Sequence, residues 1–147
     1  MIVRRATPAD HRVWALILSR LHPDQSASEF EVELERLTQL DQPYVAFLAE
    51  SEDGVPIGMI DLRVRNYAEG AEPGPVAYVE DLWVEPAHRR AGVARDLLAA
   101  AEQWARDEGL SHLGSDALTD NDDSHAWHFA NGFTEVERLV VFAKPLN

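Results

Sequence analysis

The turn formed by residues 89–94 has the clearest chemical meaning in this chain. It reads Arg-Arg-Ala-Gly-Val-Ala, follows a predicted strand and begins a predicted helix. Backbone N–H groups at a helix N-terminus have no partner within the helix, and the helix dipole adds positive charge there. The small residues let phosphate oxygens approach the backbone, so the pattern suits a pyrophosphate. An ordinary helix start is the alternative, since one glycine is a weak signal. The candidate anion-binding residues are Arg89, Arg90, Ala91, Gly92, Val93 and Ala94.

Acidic residues dominate the charge of the chain. Its 147 residues include 13 Lys and Arg against 26 Asp and Glu, a formal net charge of −13. This balance argues against unaided binding of nucleic acids, which requires basic surface, and it fits a cationic small molecule. Carboxylates that simply face the solvent are the alternative explanation. The acidic residues of interest are Glu69, Glu72, Glu80, Asp81, Asp116, Asp120, Asp122 and Asp123.

The spacing of apolar residues predicts elements in the order β-α-α-β-β-β-α-β-α-β. Predicted strands span residues 2–6, 44–50, 55–64, 76–84, 110–117 and 136–143. Predicted helices span residues 8–21, 92–108 and 122–131, and a further one starts at the capping-box pattern of residues 28–31. This order indicates an α/β (α+β) fold in which helices flank a mixed central sheet. We predict one domain over residues 1–147.

The composition excludes several kinds of chemistry. The chain has no cysteine, so disulfides, thiolate metal sites and cysteine nucleophiles are absent. Its 6 histidines show no metal-binding spacing, so we predict no metal. Neither a long apolar run nor a signal peptide is evident, which predicts a cytoplasmic protein without membrane contact.

Three segments of the chain resemble the GNAT acetyltransferase family. Residues 89–94, after a strand that ends at Val84, resemble its acetyl-CoA pyrophosphate loop. Residues 121–133 resemble its second cofactor motif, and residues 2–10 are similar to its first strand and helix. The resemblance covers essentially the whole chain and implies the GNAT acyl-CoA acyltransferase fold with acetyl-CoA as the donor. The further cofactor-binding residues that it implies are Leu82, Trp83, Val84 and Asn121.

Within that family, the chain is most similar to the aminoglycoside 6′-N-acetyltransferases. The positions that carry this similarity are Tyr67, Glu72, Pro75, Val76, Glu80, residues 86–90, residues 115–117, residues 124–126 and His128. The similarity implies acetyl transfer to the 6′-amine of an aminoglycoside. It also implies a homodimer, in which exchange of the C-terminal strands is one arrangement. The acceptor-binding residues that it implies are Tyr67, Glu72, Glu80 and Asp116.

Such a reaction requires a neutral amine, because an ammonium group has no lone pair with which to attack a thioester. The candidate general base is Asp116, which ends a predicted strand and occupies the position of the family's active-site aspartate. A turn or N-cap aspartate is the alternative. Glu80 is the second candidate, since alternation along the strand turns either Glu80 or Asp81 inward. In the family, a backbone amide near Trp83 or Val84 stabilises the oxyanion.

His128 stands where many relatives have a tyrosine that protonates the leaving thiolate. Three hypotheses for His128 are open: a proton donor, a bystander to a thiolate that leaves unprotonated, or a packed structural residue. The acceptor is also open. A different amine (a polyamine, an amino acid or a protein terminus) and a non-catalytic acyl-CoA-binding domain both fit the pattern.

Overall fold

A five-stranded mixed sheet forms the centre of the computed structural model, which describes residues 1–147. The strands are β1 (Ile2–Arg5), β2 (Tyr44–Glu50), β3 (Pro56–Arg65), β4 (Val76–Val84) and β5 (Leu113–Gly114). They lie side by side in chain order, and every neighbouring pair is antiparallel except β4 and β5, which are parallel. The helices are α1 (His11–Leu21), α2 (Ala27–Leu37), α3 (Val93–Asp107) and α4 (Asp122–Ala130). The predicted mixed sheet with flanking helices is confirmed.

Apolar residues cover both faces of this sheet. On one face, Leu34 of α2 packs in a cluster with Met59 of β3. On the other face, Leu97 of α3 packs in a cluster with Ile60 of β3. Consecutive strand residues point to opposite faces, so β3 supplies both clusters. Full burial of each such side chain contributes about 1.5–3 kcal/mol. None of the helices has both the length and the apolar character that a bilayer crossing demands.

Helix α2 begins before the predicted capping box. Ser26, rather than Ser28, is the N-cap, and its Oγ accepts a hydrogen bond from the amide of Glu29 at 3.1 Å. The Ser-x-x-Glu pattern occurs at residues 26–29, whereas residues 28–31 offer a second serine with a glutamate three positions on. The pattern alone therefore could not decide where the helix starts, and the earlier cap adds residues 27 and 28 to the helix.

Two of the predicted strands differ in the structure. Strand β5 is confined to Leu113–Gly114, because only these two residues pair with β4. Residues 136–143 form no strand at all, and residues 134–147 make no backbone hydrogen bond. The side chains of Val141 and Phe142 are 82% and 89% exposed. A strand requires a neighbouring strand, and within one chain this C-terminal segment (residues 134–147) has none.

Candidate active site

Strand β4 is paired on both sides only at its beginning. Beyond Tyr78 it has lost contact with β5 and continues to Val84 beside β3 alone. At its end, the amide of Glu85 donates to the carbonyl of Ile57, on the β3 side, at 2.8 Å. Because amides alternate in direction along a strand, those of Leu82 and Val84 point to the opposite, open edge. This edge therefore offers backbone donors to a ligand.

Trp83 contributes neither its side chain nor its amide to the open edge. Its side chain is buried in the cluster beneath α1 and α2, and the guanidinium of Arg20 lies 5.3 Å from its ring centroid. By the same alternation its amide points toward β3. Of the three predicted cofactor residues in β4, only Leu82 and Val84 direct their amides to this edge.

The turn before α3 presents a row of free amides. Gly92 is the N-cap of α3 and has a φ of +87°, a left-handed conformation that favours glycine. None of the amides of residues 90–95 donates a hydrogen bond within the chain. The first that does belongs to Asp96, which donates to the carbonyl of Gly92 at 3.0 Å. This is the geometry that an anion site at a helix N-terminus requires.

Arginine side chains surround these amides. Arg89 Nε donates to the carbonyl of Val84 at 3.1 Å, which holds the turn against the end of β4. Arg90 is exposed and has a positive φ of 60°. Arg95 pairs with its neighbour Asp96 at 3.3 Å and is also open to solvent. These side chains can add positive charge to an anion that binds at the free amides.

A cavity of about 730 Å³ lies between the sheet and the helices α1 and α2. We call it the acidic cavity, because its walls carry four carboxylates and two guanidinium groups. A surplus of negative charge in a recess attracts and orients cations. The charged residues that line it are Asp24, Glu33, Glu80, Asp81, Arg63 and Arg65, and His22 lies among them.

Glu80 is the bulged residue of β4. Asp61 of β3 stands opposite Asp81, and the next residue, Leu62, stands opposite Val79, so Glu80 has no partner. A bulge interrupts the alternation of side chains along a strand. As a result Glu80 and Asp81 both line the acidic cavity. The prediction that only one of the two turns inward is therefore wrong.

Glu80 also belongs to a chain of polar contacts that reaches Asp116. Its two carboxylate oxygens accept hydrogen bonds from Arg65 Nε at 2.9 Å and Nη2 at 2.7 Å. The same guanidinium lies 3.6 Å from the ring centroid of Tyr78. Tyr78 in turn donates from its hydroxyl to Asp116 Oδ2 at 2.8 Å.

These contacts restrict what the two predicted bases can do. The hydrogen bond to Glu80 raises the pKa of Arg65, which keeps the guanidinium charged. Burial and the hydrogen bond to Asp116 raise the pKa of Tyr78, so its phenol keeps its proton and remains a donor. Both oxygens of Glu80 are thus engaged, whereas Asp116 keeps one oxygen without a partner.

The structure does not bring Tyr67 and Glu72 to the acidic cavity. Both lie in the loop between β3 and β4, outside the cavity lining, and Tyr67 is largely exposed. Ala68 anchors this loop against the buried Tyr78. A Cβ at Gly70 would lie 2.6 Å from Val136 Cγ1, so the loop also touches the C-terminal segment.

His128 is hydrogen-bonded at both ring nitrogens. Its Nδ1 lies 2.7 Å from the carbonyl of Ser124, and its Nε2 lies 2.8 Å from Ser115 Oγ. A carbonyl only accepts, so Nδ1 carries the hydrogen and Nε2 accepts from the hydroxyl. The ring also packs edge-on against Phe133 at a centroid distance of 5.0 Å. This geometry favours the packed structural residue among the three hypotheses.

Asn121 is committed to the local structure of α4. It is the N-cap of this helix, and its Oδ1 accepts from the amide of Ser124 at 3.1 Å. An asparagine that caps a helix through its Oδ1 still has its side-chain NH₂ group free to donate a hydrogen bond.

The sequence predicted none of the polar contacts of the site, and two further aspartates, Asp61 and Asp81, take part in them. Asp61 is fully buried in β3, and its Oδ2 accepts from Trp14 Nε1 and from the Tyr44 hydroxyl, each at 2.9 Å. Burial, reinforced by the nearby Asp81, raises the pKa of Asp61 well above its usual range. The second aspartate, Asp81, is hydrogen-bonded to His22. The sequence did contain one signal of such a contact. Asp61 is a lone carboxylate inside an apolar strand, and a buried charge needs a polar partner.

The chain belongs to the acetyltransferase (GNAT) family, whose pattern it matches over residues 11–133. The aminoglycoside N(6′)-acetyltransferase type 1 of Stenotrophomonas maltophilia is 41% identical over 147 residues, covering 98% of this chain and 93% of that protein. The protein of the same name from Acinetobacter haemolyticus is 36% identical over 148 residues, covering 100% of both.

Solved structures share the fold. AAC(6′)-Iy in complex with the bisubstrate analogue CoA-S-monomethyl-acetylneamine superposes with a TM-score of 0.90 at 29% identity, over 99% of this chain and 98% of that one. The aminoglycoside 6′-N-acetyltransferase AAC(6′)-IG from Acinetobacter haemolyticus, without ligand, has a TM-score of 0.87 at 34% identity and covers 100% of both chains. The predicted GNAT fold is confirmed.

Proposed function

We propose that this protein is an acetyl-CoA-dependent N-acetyltransferase that acetylates the 6′-amine of aminoglycosides. The observation that carries the proposal is the acidic cavity on β4, whose open edge offers free amides. An acyl donor along that edge and a polycationic acceptor in the cavity would meet at the same strand. The near-full-length relatives are named for this activity, and a related structure holds a bisubstrate analogue of CoA and an aminoglycoside.

The donor site is proposed to consist mainly of backbone. The pyrophosphate of acetyl-CoA accepts hydrogen bonds from the amides of residues 90–95, aided by the dipole of α3 and the charges of Arg89 and Arg90. The acyl arm follows the open edge of β4, where the amides of Leu82 and Val84 point. An amide held in advance at the thioester carbonyl stabilises the oxyanion that develops during attack.

The acceptor site is proposed to hold several ammonium groups through carboxylates. Glu80 has both oxygens on Arg65, so its role is to bind and orient rather than to take a proton. We assign Asp116 the same anchoring role, with its unpartnered oxygen toward an ammonium group. Tyr67 and Glu72 extend this surface on the loop between β3 and β4. With His128 committed at both nitrogens, the leaving sulfur receives its proton from the reacting amine.

A turnover assay over a panel of amines tests the proposed function. Acetyl-CoA is supplied, release of free thiol is followed, and the products are analysed by NMR to locate the acetyl group. We expect turnover with aminoglycosides that carry a 6′-amine and none with those that carry a 6′-hydroxyl. Faster turnover of polyamines, amino acids or peptide N-termini would replace the proposed acceptor. Binding of acetyl-CoA without any turnover would indicate a non-catalytic domain.

Acceptor binding is expected to weaken with salt. Screening reduces the attraction between exposed charges over a Debye length of about 8 Å at physiological ionic strength. The KM for an aminoglycoside should therefore rise steadily with sodium chloride, while kcat changes little, because the loss is in binding. An amine with a single ammonium group serves as the control and should show a shallower rise. An aminoglycoside KM that is flat over the same range would argue against carboxylate anchoring.

We also propose that the protein is a homodimer that pairs its C-terminal segments. This segment exposes a row of large apolar side chains and leaves its backbone unpaired, both of which favour association. It touches the loop that carries Tyr67 and Glu72 at Gly70, so pairing would also order the acceptor side. Location in the cytoplasm and the absence of nucleic-acid or membrane partners stay predictions.

Light scattering tests the dimer directly. We expect a mass of about twice the 16.5 kDa of one chain at micromolar concentration. Val141→Asp, which buries a charge in the paired segment, should shift the protein to the monomer. Val32→Asp is the matched control, since Val32 is 73% exposed on α2, outside the proposed interface. A monomeric wild type, or equal effects of the two substitutions, would contradict the proposed interface.

A further inference from the structure

His22 and Asp81 form a hydrogen-bonded pair in the wall of the acidic cavity. His22 lies directly after α1, and its Nε2 is 2.6 Å from Asp81 Oδ1. The two residues are 59 positions apart, and the carboxylate side chain is 15% exposed whereas the imidazole is 53% exposed. Asp81 immediately precedes Leu82, whose amide points to the open edge of β4. The pair therefore stands beside the place where the acyl group is proposed to bind.

The contact decides which ring nitrogen of neutral His22 is free. A carboxylate oxygen only accepts, so Nε2 carries the hydrogen and donates it to Asp81. The lone pair is then on Nδ1, which forms no hydrogen bond within the chain. The ring of Phe30 lies near the imidazole, at a centroid distance of 6.2 Å. An imidazole oriented by a carboxylate, with its second nitrogen free in a cavity, is the arrangement of a general base.

We propose that His22 is the general base of the reaction and that Asp81 is its positioning residue; this inference rests on the proposed function. Nδ1 takes one proton from the acceptor ammonium, and the freed lone pair forms the bond from nitrogen to the acetyl carbon. The C–S bond then breaks, and the amine nitrogen passes a second proton to the departing sulfur, which leaves as free CoA thiol. The products are an amide, a thiol and an imidazolium, which returns its proton to water.

The two bases predicted from the sequence, Glu80 and Asp116, are less suited to this role. Glu80 has both oxygens on Arg65. Asp116 lies outside the lining of the acidic cavity, and one of its oxygens already accepts from the Tyr78 hydroxyl. Other charged groups surround the pair. Asp24 lies in the loop before α2, Glu33 on α2 and Arg63 on β3. Asp61 is buried beneath them, and Arg20 of α1 pairs with Glu85.

His22→Gln tests the role without removing the contact. The glutamine amide can donate to Asp81 but cannot take a proton, so kcat/KM for an aminoglycoside should fall by about 10²-fold at neutral pH. The deficit should shrink as pH rises toward the pKa of the acceptor amine, because the amine then arrives neutral. Affinity for acetyl-CoA should be unchanged. His112→Gln is the matched control, since His112 is exposed and contacts only its neighbour Ser111.

Chemical rescue separates a base from a structural residue. His22→Ala opens the space of one ring, and added imidazole should restore part of kcat, with more basic imidazoles restoring more. Asp81→Asn should lower kcat by about 10-fold, because the amide can still accept from Nε2 but no longer stabilises the imidazolium that forms. Full activity in His22→Gln, or a loss that no imidazole restores, would overturn the role of His22 while leaving the proposed function intact. A wild type that acetylates no aminoglycoside would instead overturn the proposed function.

Discussion

Gly92→Asp is expected to weaken acetyl-CoA binding by more than about 10²-fold while the fold survives. The new carboxylate would stand among the free amides of residues 90–95, where the pyrophosphate is proposed to bind. Juxtaposed like charges cost several kcal/mol, and each ~1.4 kcal/mol is tenfold in affinity. The added Cβ meets only the end of the Arg95 side chain, 3.1 Å away, which can move aside. Calorimetry with acetyl-CoA measures the effect.

Two control variants isolate the charge from backbone strain. Gly92→Asn has nearly the same shape and tolerance of a left-handed backbone, so it should lose much less affinity. Gly54→Asp makes the same substitution at a φ of +75°, with no atom within 4 Å, in the turn between β2 and β3. It should bind acetyl-CoA as the wild type does. Unchanged affinity in Gly92→Asp would remove this turn from the donor site.

Asp116→Asn is expected to raise the aminoglycoside KM by about 10-fold and to leave kcat within a few-fold of the wild type. A hydrogen bond to a charged group contributes about 1.5–3 kcal/mol, and the lower end applies because Asp116 is exposed. The side-chain carbonyl of the introduced asparagine, like the carboxylate it replaces, can accept from the Tyr78 hydroxyl, so the local structure should persist. Steady-state kinetics over a range of pH checks both parameters.

The same experiment distinguishes an anchor from a base. If Asp116 took the proton, kcat would fall at neutral pH and recover at high pH, with KM little changed. That outcome would restore the role predicted from the sequence and contradict the anchoring role. Asp120→Asn is the control, because Asp120 is an exposed acidic residue of the same loop. It should behave as the wild type in both parameters.

The proposed donor site could be predicted from the sequence because it is built from local signals. A glycine after two arginines, followed by apolar residues at helical spacing, predicted the start of α3 and its free amides. In the structure Gly92 is the N-cap of that helix. Helix caps and periodicity depend on residues a few positions apart, so no knowledge of the tertiary structure was needed.

Strand lengths and side-chain directions were harder to predict from the sequence. The extent of β5 depends on how far β4 and β5 stay together, and they separate after Tyr78. The bulge at Glu80 depends on the register between β3 and β4, and a shift of one residue reverses which face each side chain takes. Apolar alternation predicts that a strand exists, whereas its neighbour determines where pairing starts and stops.

The sequence by itself determined the family, the mixed sheet and the turn with free amides before α3, because residue types and short spacings carry all three. Only the tertiary structure decided which polar groups meet. Asp116 reaches Tyr78 across 38 positions, and Asp81 reaches His22 across 59. These contacts follow from the packing of α1 on the sheet and from the parallel pairing of β4 with β5. No local pattern encodes a hydrogen bond between two residues that only packing brings together, which is why His22 became a candidate general base in the folded chain alone.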